Sequence, residues 1–165
     1  MDTLKMTHKL SVINLFKKYG EKSILEDISF DVEPGEFISI LGSSGCGKTT
    51  LLRILMGIET SDRGKILKDG IDITSFPPSK RGMGMVFQNY ALFPNMNVYD
   101  NIAFALRANH VKKSEIEKRV NAAISITGLS DHVYKKPNYL SGGQQQRVAI
   151  ARTIVLNPDI ILFDE

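Results

Sequence analysis

The sequence feature that most constrains this chain is a glycine-rich loop set between an apolar run and a helical pattern. Residues Gly42 to Thr49 match the P-loop pattern, in which Gly and four further residues precede Gly-Lys and then Ser or Thr. Phe37 to Leu41, before the loop, predict a short buried strand, and Thr50 to Met56, after it, predict a helix. A strand, a glycine-rich loop and a helix in this order favour a cradle for phosphate.

The residue types in the loop indicate which phosphate compound it holds. Glycines let several backbone N–H groups point at one anion, and the helix adds the positive end of its dipole. Lys48 brings a charge for the β- and γ-phosphates of a nucleotide, and Thr49 supplies a hydroxyl for the accompanying Mg²⁺. Cys46 is interpreted as a small loop residue without a catalytic role. The loop therefore predicts nucleotide binding.

Length and charge limit the remaining possibilities. The 165 residues are enough for one domain, and 42% of them are apolar, which predicts a packed core. The net charge of +3 is spread along the chain without a basic block, so no nucleic-acid partner is expected. One cysteine excludes an internal disulfide, and the polar N-terminus and lack of a long apolar run predict a soluble cytosolic chain.

The first seventy residues contain strand patterns on either side of the P-loop. Leu10 to Leu15 and Ile24 to Val32 alternate apolar and polar residues, and Asp69-Gly70 predicts a tight type I′ hairpin turn. Tyr19 falls in the turn predicted between the first two strands. It is either an ordinary surface aromatic or a flat platform on which adenine stacks.

The middle of the chain changes from strand to helix. Gly84 to Phe87 predict a buried strand that ends at Gln88, whose amide is either a surface group or a ligand for Mg²⁺ and the attacking water. Asn97 predicts one helix N-cap, and Ser114 to Glu117 predict a capping box that opens a second helix. Two successive helices predict a helical subdomain at about residues 89–140, set into a core of residues 1–88 and 141–165. The histidines are expected at the surface, without a metal: His8, His110 and His132.

The last quarter of the chain places two more motifs. Leu140 to Gln144 open a helix that runs to Leu156, and Ser141 with two glycines predicts either a second anion-binding helix start or a plain N-cap. Asp159 to Phe163 predict a buried strand that delivers Asp164 and Glu165 at its end. These two acids are either a solvated strand end or, beside a P-loop, an Mg²⁺ ligand and a proton acceptor for water.

Together these motifs resemble the nucleotide-binding subunit of ATP-binding cassette (ABC) transporters over nearly the whole chain. Residues 42–49 resemble the family's Walker A motif, residues 140–144 its signature loop and residues 160–164 its Walker B motif. Glu165 is similar to its catalytic glutamate, Gln88 to its Q-loop and Tyr19 to its adenine-stacking A-loop. The motif sequences around Gln88 look most like bacterial importers of polyamines, iron, sulfate, sugars or phosphonates.

The resemblance implies an α/β P-loop core with an N-terminal antiparallel β part and an inserted helical subdomain. It implies ATP and Mg²⁺ as ligands, with Lys48, Gln88 and Glu165 in catalysis and Thr49, Gln88 and Asp164 at the metal. The residues expected to contact nucleotide are Tyr19, Gly42, Ser43, Gly45, Cys46, Gly47, Lys48, Thr49, Thr50, Ser141, Gly142, Gly143 and Gln144.

The resemblance also implies partners and a location. Two such subunits would form a head-to-tail dimer, in which Ser141 and Gly143 of one face the γ-phosphate held by Lys48 of the other. Transmembrane permease subunits and, indirectly, a solute-binding protein complete such a transporter, with the ATPase on the inner face of the membrane. The family's D-loop and switch histidine have no counterpart before Glu165, so weak nucleotide binding and little hydrolysis are expected of these 165 residues.

Two other classes of protein share some of these motifs. A P-loop kinase would share residues 42–49 but would not use a loop like residues 140–144 or water as the phosphate acceptor. A soluble ABC ATPase acting on DNA or ribosomes would share both loops. Long insertions or a second cassette would be expected in such a protein, and co-purification with membrane proteins would distinguish it from a transporter subunit.

Overall fold

The computed structural model describes residues 8–164, and the chain divides into two compact units, residues 1–81 and 82–165. Within the described residues, the first unit contains an antiparallel sheet and one α-helix, and the second contains three α-helices and a parallel strand pair. The predicted α/β class is confirmed, with antiparallel strands near the N-terminus and helices after the strand predicted at Gly84 to Phe87. In residues 8–164 no helix combines the length and the apolar character that crossing a membrane requires.

The sheet of the first unit has four strands in the order β2-β1-β3-β4, and every neighbouring pair is antiparallel. The strands are β1 (Leu10–Tyr19), β2 (Lys22–Val32), β3 (Arg63–Lys68) and β4 (Ile71–Asp72). Alternation places Leu10 and Val12 of β1 in the core, as the sequence pattern predicts, and a register shift between Val12 and Leu15 brings Leu15 into the core as well. Asp69 and Gly70 both adopt positive φ, which confirms the predicted hairpin turn.

The P-loop helix α1 (Lys48–Met56) begins two residues earlier than the pattern predicts and ends at Gly57. Its last turn is held by Arg81, which is only 3% exposed. The Arg81 guanidinium donates hydrogen bonds of 2.8 Å to the carbonyls of both Ile54 and Leu55. Both carbonyls lie in the last turn, where a helix lacks its full set of intrahelical donors, and the Ile54 carbonyl also accepts from the Gly57 N–H at 3.0 Å. Arg81 therefore completes the end of the helix.

The strand predicted at Phe37–Leu41 is absent from the structure, in which residues 36–43 are irregular. Phe37 is 84% and Leu41 90% exposed, so the predicted burial is wrong as well. In the described part of this unit, the sheet consists of β1 to β4. A short apolar run becomes a strand only where neighbouring strands accept and donate its backbone hydrogen bonds, and none of the strands described in residues 8–81 does so.

The second unit joins a parallel strand pair to three helices. Strand β5 (Met83–Val86) pairs in register with β6 (Ile160–Phe163), and the helices are α2 (Val98–Ala108), α3 (Lys113–Ile126) and α4 (Gly142–Ile154). All three helices contribute to one apolar core, consisting of Val98, Ile102, Ala103, Leu106, Ile116, Val120, Ala123, Ile124, Leu129, Leu140, Val148, Ala151 and Val155. The division into a core and a helical subdomain at residues 89–140 stays a prediction.

The helix starts of this unit test the predicted caps. Asn97 caps α2 as predicted, because its side chain accepts a 2.7 Å hydrogen bond from the backbone N–H of Asp100. The capping box predicted at Ser114 is wrong, since Lys112 is the N-cap of α3 and makes no side-chain cap. Ser114 already lies inside the first turn, where its backbone is helical and its hydroxyl cannot take the N-cap role.

Candidate functional site

The P-loop takes its shape from glycines in backbone conformations that other residues avoid. Gly45 has φ 78° and Gly47 has φ 100°, both in the left-handed region. A Cβ atom on Gly47 would lie 2.9 Å from the carbonyl oxygen of Ile24 and 2.9 Å from a methyl carbon of Leu25. Glycine at position 47 is therefore required both by the backbone and by the close approach of β2.

The loop also presents backbone donors that the chain does not use. Cys46 donates a long hydrogen bond of 3.3 Å to Ser43, which closes the turn. Among the described residues, no acceptor takes the amide hydrogens of Ser44, Gly45 or Gly47. Ser44 and Gly45 are exposed residues, and Gly47 is buried at the start of α1. Backbone N–H groups without acceptors, next to a helix start with no side-chain cap, are suited to bind an anion.

Lys48, the first residue of α1, turns its ammonium group back over the loop. Its Nζ donates to the carbonyl oxygens of Gly42 at 2.7 Å and Ser43 at 2.8 Å, and lies 3.6 Å from the Cys46 sulfur. The charge is thus held at the loop by neutral acceptors. A phosphate oxygen is a stronger acceptor for an ammonium group than a carbonyl oxygen, because the bond is then assisted by opposite charges.

Tyr19 is the last residue of β1 rather than a turn residue, and it reaches α1. Its hydroxyl donates to the Glu59 carboxylate, and this hydrogen bond, with burial, raises the pKa of Tyr19, while a side-chain hydrogen bond with Thr50 lowers it. Lys17 is paired with Glu59 at 3.2 Å and lies 5.2 Å from the ring centre of Tyr19. The structure therefore brings the half-exposed ring to the first turns of the P-loop helix, where a platform for adenine is expected.

Gln88 and Asp164 follow the carboxyl ends of the paired strands β5 and β6. Val86 pairs with Phe163 as the last rung of the ladder, and the Asp164 N–H donates to the Val86 carbonyl at 3.0 Å. Gln88 follows two residues after β5. The prediction that both side chains stand at the carboxyl ends of neighbouring strands fits this register. Glu165, the predicted proton acceptor, lies outside the described residues.

The segment after Gln88 is anchored to α4 by an arginine that the sequence analysis did not single out. Tyr90 and Ala91 have positive φ values of 59° and 45°, which are costly for residues with a Cβ. Arg152 donates hydrogen bonds of 2.9 Å to the Tyr90 carbonyl and 2.6 Å to the Ala91 carbonyl, and it lies 5.7 Å from the ring centre of Phe93. Burial lowers the pKa of the Arg152 guanidinium.

Asn101 of α2 holds the same segment from the other side. This side chain is fully buried, accepts from the Phe93 N–H at 2.8 Å and donates to the carbonyls of Phe93, Met96 and Asn97. A buried amide with all these bonds fixes the course of residues 93–97. Neither Asn101 nor Arg152 has a local sequence signal, because each acts on backbone groups of a loop that no pattern defines.

The signature loop ends in a complete capping box at the start of α4. Ser141 is the N-cap, its hydroxyl accepts from the Gln144 N–H at 3.3 Å, and the Gln144 side-chain oxygen accepts from the Ser141 N–H at 2.8 Å. The predicted N-cap is therefore confirmed. Gly142 and Gly143 stand in the exposed first turn, where a Cβ would meet no atom within 4 Å.

His132 makes a side-chain contact that the sequence analysis did not single out. His132, expected at the surface, is only partly exposed, and its Nε2 lies 2.9 Å from the side-chain nitrogen of Gln144. It belongs to a short 3₁₀ turn, residues 130–132, that follows α3. The fold places this turn beside the signature loop, and the separation of twelve positions between His132 and Gln144 hides this proximity in the sequence.

Comparison with known proteins shows which family model and which relatives this chain matches. The ABC transporter family model matches residues 25–165. The chain is 51% identical to a spermidine/putrescine import ATP-binding protein PotA of Bacteroides fragilis, an alignment that covers 94% of this chain and 34% of the relative. It is 48% identical to the protein of that name from Aliivibrio fischeri, covering 100% of this chain and 45% of the relative.

A solved structure agrees with these relatives. The cbiO1 protein of Clostridium perfringens, described as part of the ABC transporter complex cbiONQ, superposes with a TM-score of 0.87 at 33% sequence identity. The match covers 96% of this chain and 66% of that one. The chain thus spans less than half the length of the curated relatives named above, and most of the length of the structural one.

Proposed function

The chain belongs to the ABC transporter family, and on that basis we propose that it is the ATP-binding part of a subunit that hydrolyses ATP to energise solute import. The observation that carries the proposal is the P-loop geometry. Amides of Ser44, Gly45 and Gly47 without acceptors in residues 8–164, and the Lys48 ammonium above them, form a site with the charge and donors for the triphosphate of ATP. Tyr19, beside the same helix, is proposed to stack on adenine.

Mg²⁺ is the metal we propose for this site. The residues proposed to hold it are Thr49, Gln88 and Asp164, and their hydroxyl, amide and carboxylate oxygens are the ligand types that this hard cation prefers. The register of β5 and β6, which aligns the segments carrying Gln88 and Asp164, supports this assignment. The ion would neutralise charge that develops on the β- and γ-phosphates. Glu165 is the residue proposed to accept the proton of the attacking water.

We propose that the signature loop acts on the nucleotide of a second copy. Ser141 and Gly143 lie at an exposed helix start, which favours an anion brought by another molecule. The capping box uses the Ser141 hydroxyl and the Gln144 amide within the chain, so the loop is formed before any partner arrives. In a head-to-tail dimer each ATP would lie between the P-loop of one copy and the signature loop of the other.

The proposed solute class is polyamines. Relatives about half identical to this chain carry the description of spermidine/putrescine import, which narrows the importer types that the sequence alone leaves open. Transmembrane permease subunits and, through them, a solute-binding protein are the proposed partners. The proposed location is the inner face of the cell membrane, where ATP is available.

Calorimetric titration of the chain with Mg-ATP tests nucleotide binding. We expect Lys48→Ala to weaken the affinity roughly ten- to a hundred-fold, because a charged hydrogen-bond donor is removed. Lys22→Ala, which removes an exposed lysine of β2, should bind like the wild type. Circular dichroism must show that all three proteins are folded. Equal affinity in the three folded proteins would contradict the proposal.

Uptake of labelled spermidine by cells tests the transport part. The protein, expressed with its permease partners, should restore uptake to cells that lack their own polyamine importer, and its Lys48→Ala variant should not, at equal amounts of protein. Uptake that persists in the variant would contradict ATP-driven import through this subunit. Uptake of a different solute by the same cells would replace the polyamine assignment and leave the ATPase assignment in place.

A further inference from the structure

The Gln144 side chain is bonded at both ends of its amide, and one of these bonds fixes its orientation. The Ser141 backbone N–H, 2.8 Å from Oε1 of Gln144, can only donate. If the amide were turned over, its NH₂ group would face that N–H and two donors would oppose each other. The oxygen therefore faces Ser141, and the nitrogen must face His132, 2.9 Å away.

The same bond fixes the proton on the imidazole. The Gln144 NH₂ group donates, so Nε2 of His132 must accept and cannot carry hydrogen. In the neutral ring the hydrogen is then on Nδ1. Nδ1 is buried and finds no hydrogen-bond partner among the described residues, so the ring is committed to the signature loop through Nε2 alone.

The backbone around His132 ties it to the end of α3. Its N–H donates to the Leu129 carbonyl at 2.9 Å, and its carbonyl accepts from Lys135 at 2.9 Å. Leu129 is fully buried in the core that the three helices share. His132 therefore stands on a fixed turn, from which its ring can orient a neighbouring side chain.

The capping box depends on this orientation. The bond from the Gln144 N–H to the Ser141 hydroxyl is long, at 3.3 Å, whereas the reciprocal bond through the Gln144 side chain is 2.8 Å. The shorter half of the box is the one whose acceptor His132 positions. Loss of the His132 acceptor would free the Gln144 amide to rotate and would weaken the box at its shorter bond.

We propose that His132 is a positioning residue for the signature loop, acting through the amide of Gln144. This inference rests on the proposed function for its consequence, because in that function the loop contacts the nucleotide of a second copy. The positioning itself is a property of the single chain. It can therefore be tested without nucleotide and without a partner.

The tautomer of His132 is the most direct test. Long-range ¹H–¹⁵N correlation spectra of the labelled chain, recorded at mildly alkaline pH, distinguish a protonated ring nitrogen from an unprotonated one. We expect hydrogen on Nδ1 and an unprotonated Nε2 for His132, whereas free imidazole side chains favour hydrogen on Nε2. Hydrogen on Nε2 of His132 would overturn the proposal.

A matched pair of variants tests the effect on the loop. His132→Gln keeps an acceptor as many bonds from Cα as Nε2, whereas His132→Phe keeps a ring and removes the acceptor. We expect His132→Phe to speed amide hydrogen exchange at Ser141 roughly tenfold, from the loss of one hydrogen bond, with exchange at the middle of α3 unchanged. His132→Gln should stay within about twofold of the wild type. Equal exchange at Ser141 in the two variants would overturn the proposal. If His132→Phe unfolds, the tautomer of His132 in the wild type decides the proposal.

Mg-ATP titration of the wild type and both variants separates this inference from the proposed function. If Mg-ATP binds and His132→Phe leaves Ser141 exchange unchanged, the positioning role fails alone. If Mg-ATP does not bind and the tautomer and exchange are as expected, the nucleotide assignment fails and the positioning role stands.

Discussion

The P-loop and the signature loop are both predicted phosphate cradles, yet different forces fix their shapes. The P-loop depends on backbone conformation, because Gly45 and Gly47 are left-handed and no side chain caps α1. The signature loop depends on side chains, because Ser141 and Gln144 cap each other. The P-loop therefore leaves its amides for an external acceptor, whereas the signature loop bonds its Ser141 and Gln144 amides within the chain.

This difference suits the two loops to different roles in nucleotide binding. The P-loop also carries the positive charge of Lys48, which a bound phosphate would attract away from the loop carbonyls. The signature loop carries no charged side chain and is exposed at its first turn. A loop with free donors and a charge suits primary binding of the nucleotide, and a preformed neutral loop suits recognition of a phosphate that is already bound.

Alanine substitution at one glycine of each loop should give the largest difference in stability between the P-loop and the signature loop. Gly47→Ala should lower the free energy of unfolding by about 3 kcal/mol, because it adds strain at φ 100° and a clash with Ile24. Gly143→Ala should raise it by ~0.5–1 kcal/mol, because the site is open and the residue is helical. Urea unfolding measures both values. Similar effects at the two positions would show that the loops are not built differently.

The far end of the signature helix gives the next largest effect. Arg152→Lys should cost about 1–3 kcal/mol of unfolding free energy, since one ammonium cannot reproduce the pair of bonds to Tyr90 and Ala91. The control is Arg107→Lys, at an exposed ion pair of 2.9 Å with Asp100, which should leave stability within experimental error. Equal losses in the two variants would mean that Arg152 does not anchor the segment after Gln88.

The capping box should contribute a smaller amount. Ser141→Ala should lower the unfolding free energy by about 1 kcal/mol, as expected for loss of an N-cap. Ser114→Ala is the matched control, because Ser114 lies inside α3 and caps nothing, so it should be neutral or slightly stabilising. A cost at Ser114 equal to that at Ser141 would contradict the observed helix starts.

The smallest effect concerns Tyr19 beside the P-loop helix. Because the hydrogen bond to Glu59 raises the pKa of Tyr19, its stabilising contribution is present at neutral pH and is lost as pH rises beyond tyrosine's ordinary range. Glu59→Gln should return this pKa towards its ordinary value of 10.0 and reduce the alkaline loss of stability. Spectrophotometric titration measures it, with Tyr19→Phe identifying the signal among five tyrosines. An unchanged pKa would mean that Glu59 does not hold the ring.

Local patterns predicted those parts of the fold that local chemistry decides. Asp69-Gly70 forms the expected turn, and Asn97 and Ser141 cap helices, because each depends only on residues within a few positions. The apolar stripe of α3 is buried as the 3.6-residue period predicts, through Ile116, Val120, Ala123 and Ile124.

The failures lie where distant residues decide the outcome. Phe37–Leu41 has the composition of a strand, but a strand needs partners that composition does not supply. Arg81 and Arg152 are charged and were not expected to be anchors, yet each donates to carbonyls brought near by the fold. His132 shows the same limit at the site, because only the chain's path places it against Gln144.

Amide hydrogen exchange, with and without Mg-ATP, tests the difference between the two loops most directly. Without nucleotide, we expect fast exchange at Ser44 and Gly45 and slower exchange at Ser141 and Gln144, whose amides are bonded within the chain. Mg-ATP should slow exchange at Ser44 and Gly45. Slow exchange at Ser44 and Gly45 before nucleotide is added, or an unchanged exchange rate after Mg-ATP binds, would contradict a P-loop whose backbone donors are free to bind phosphate.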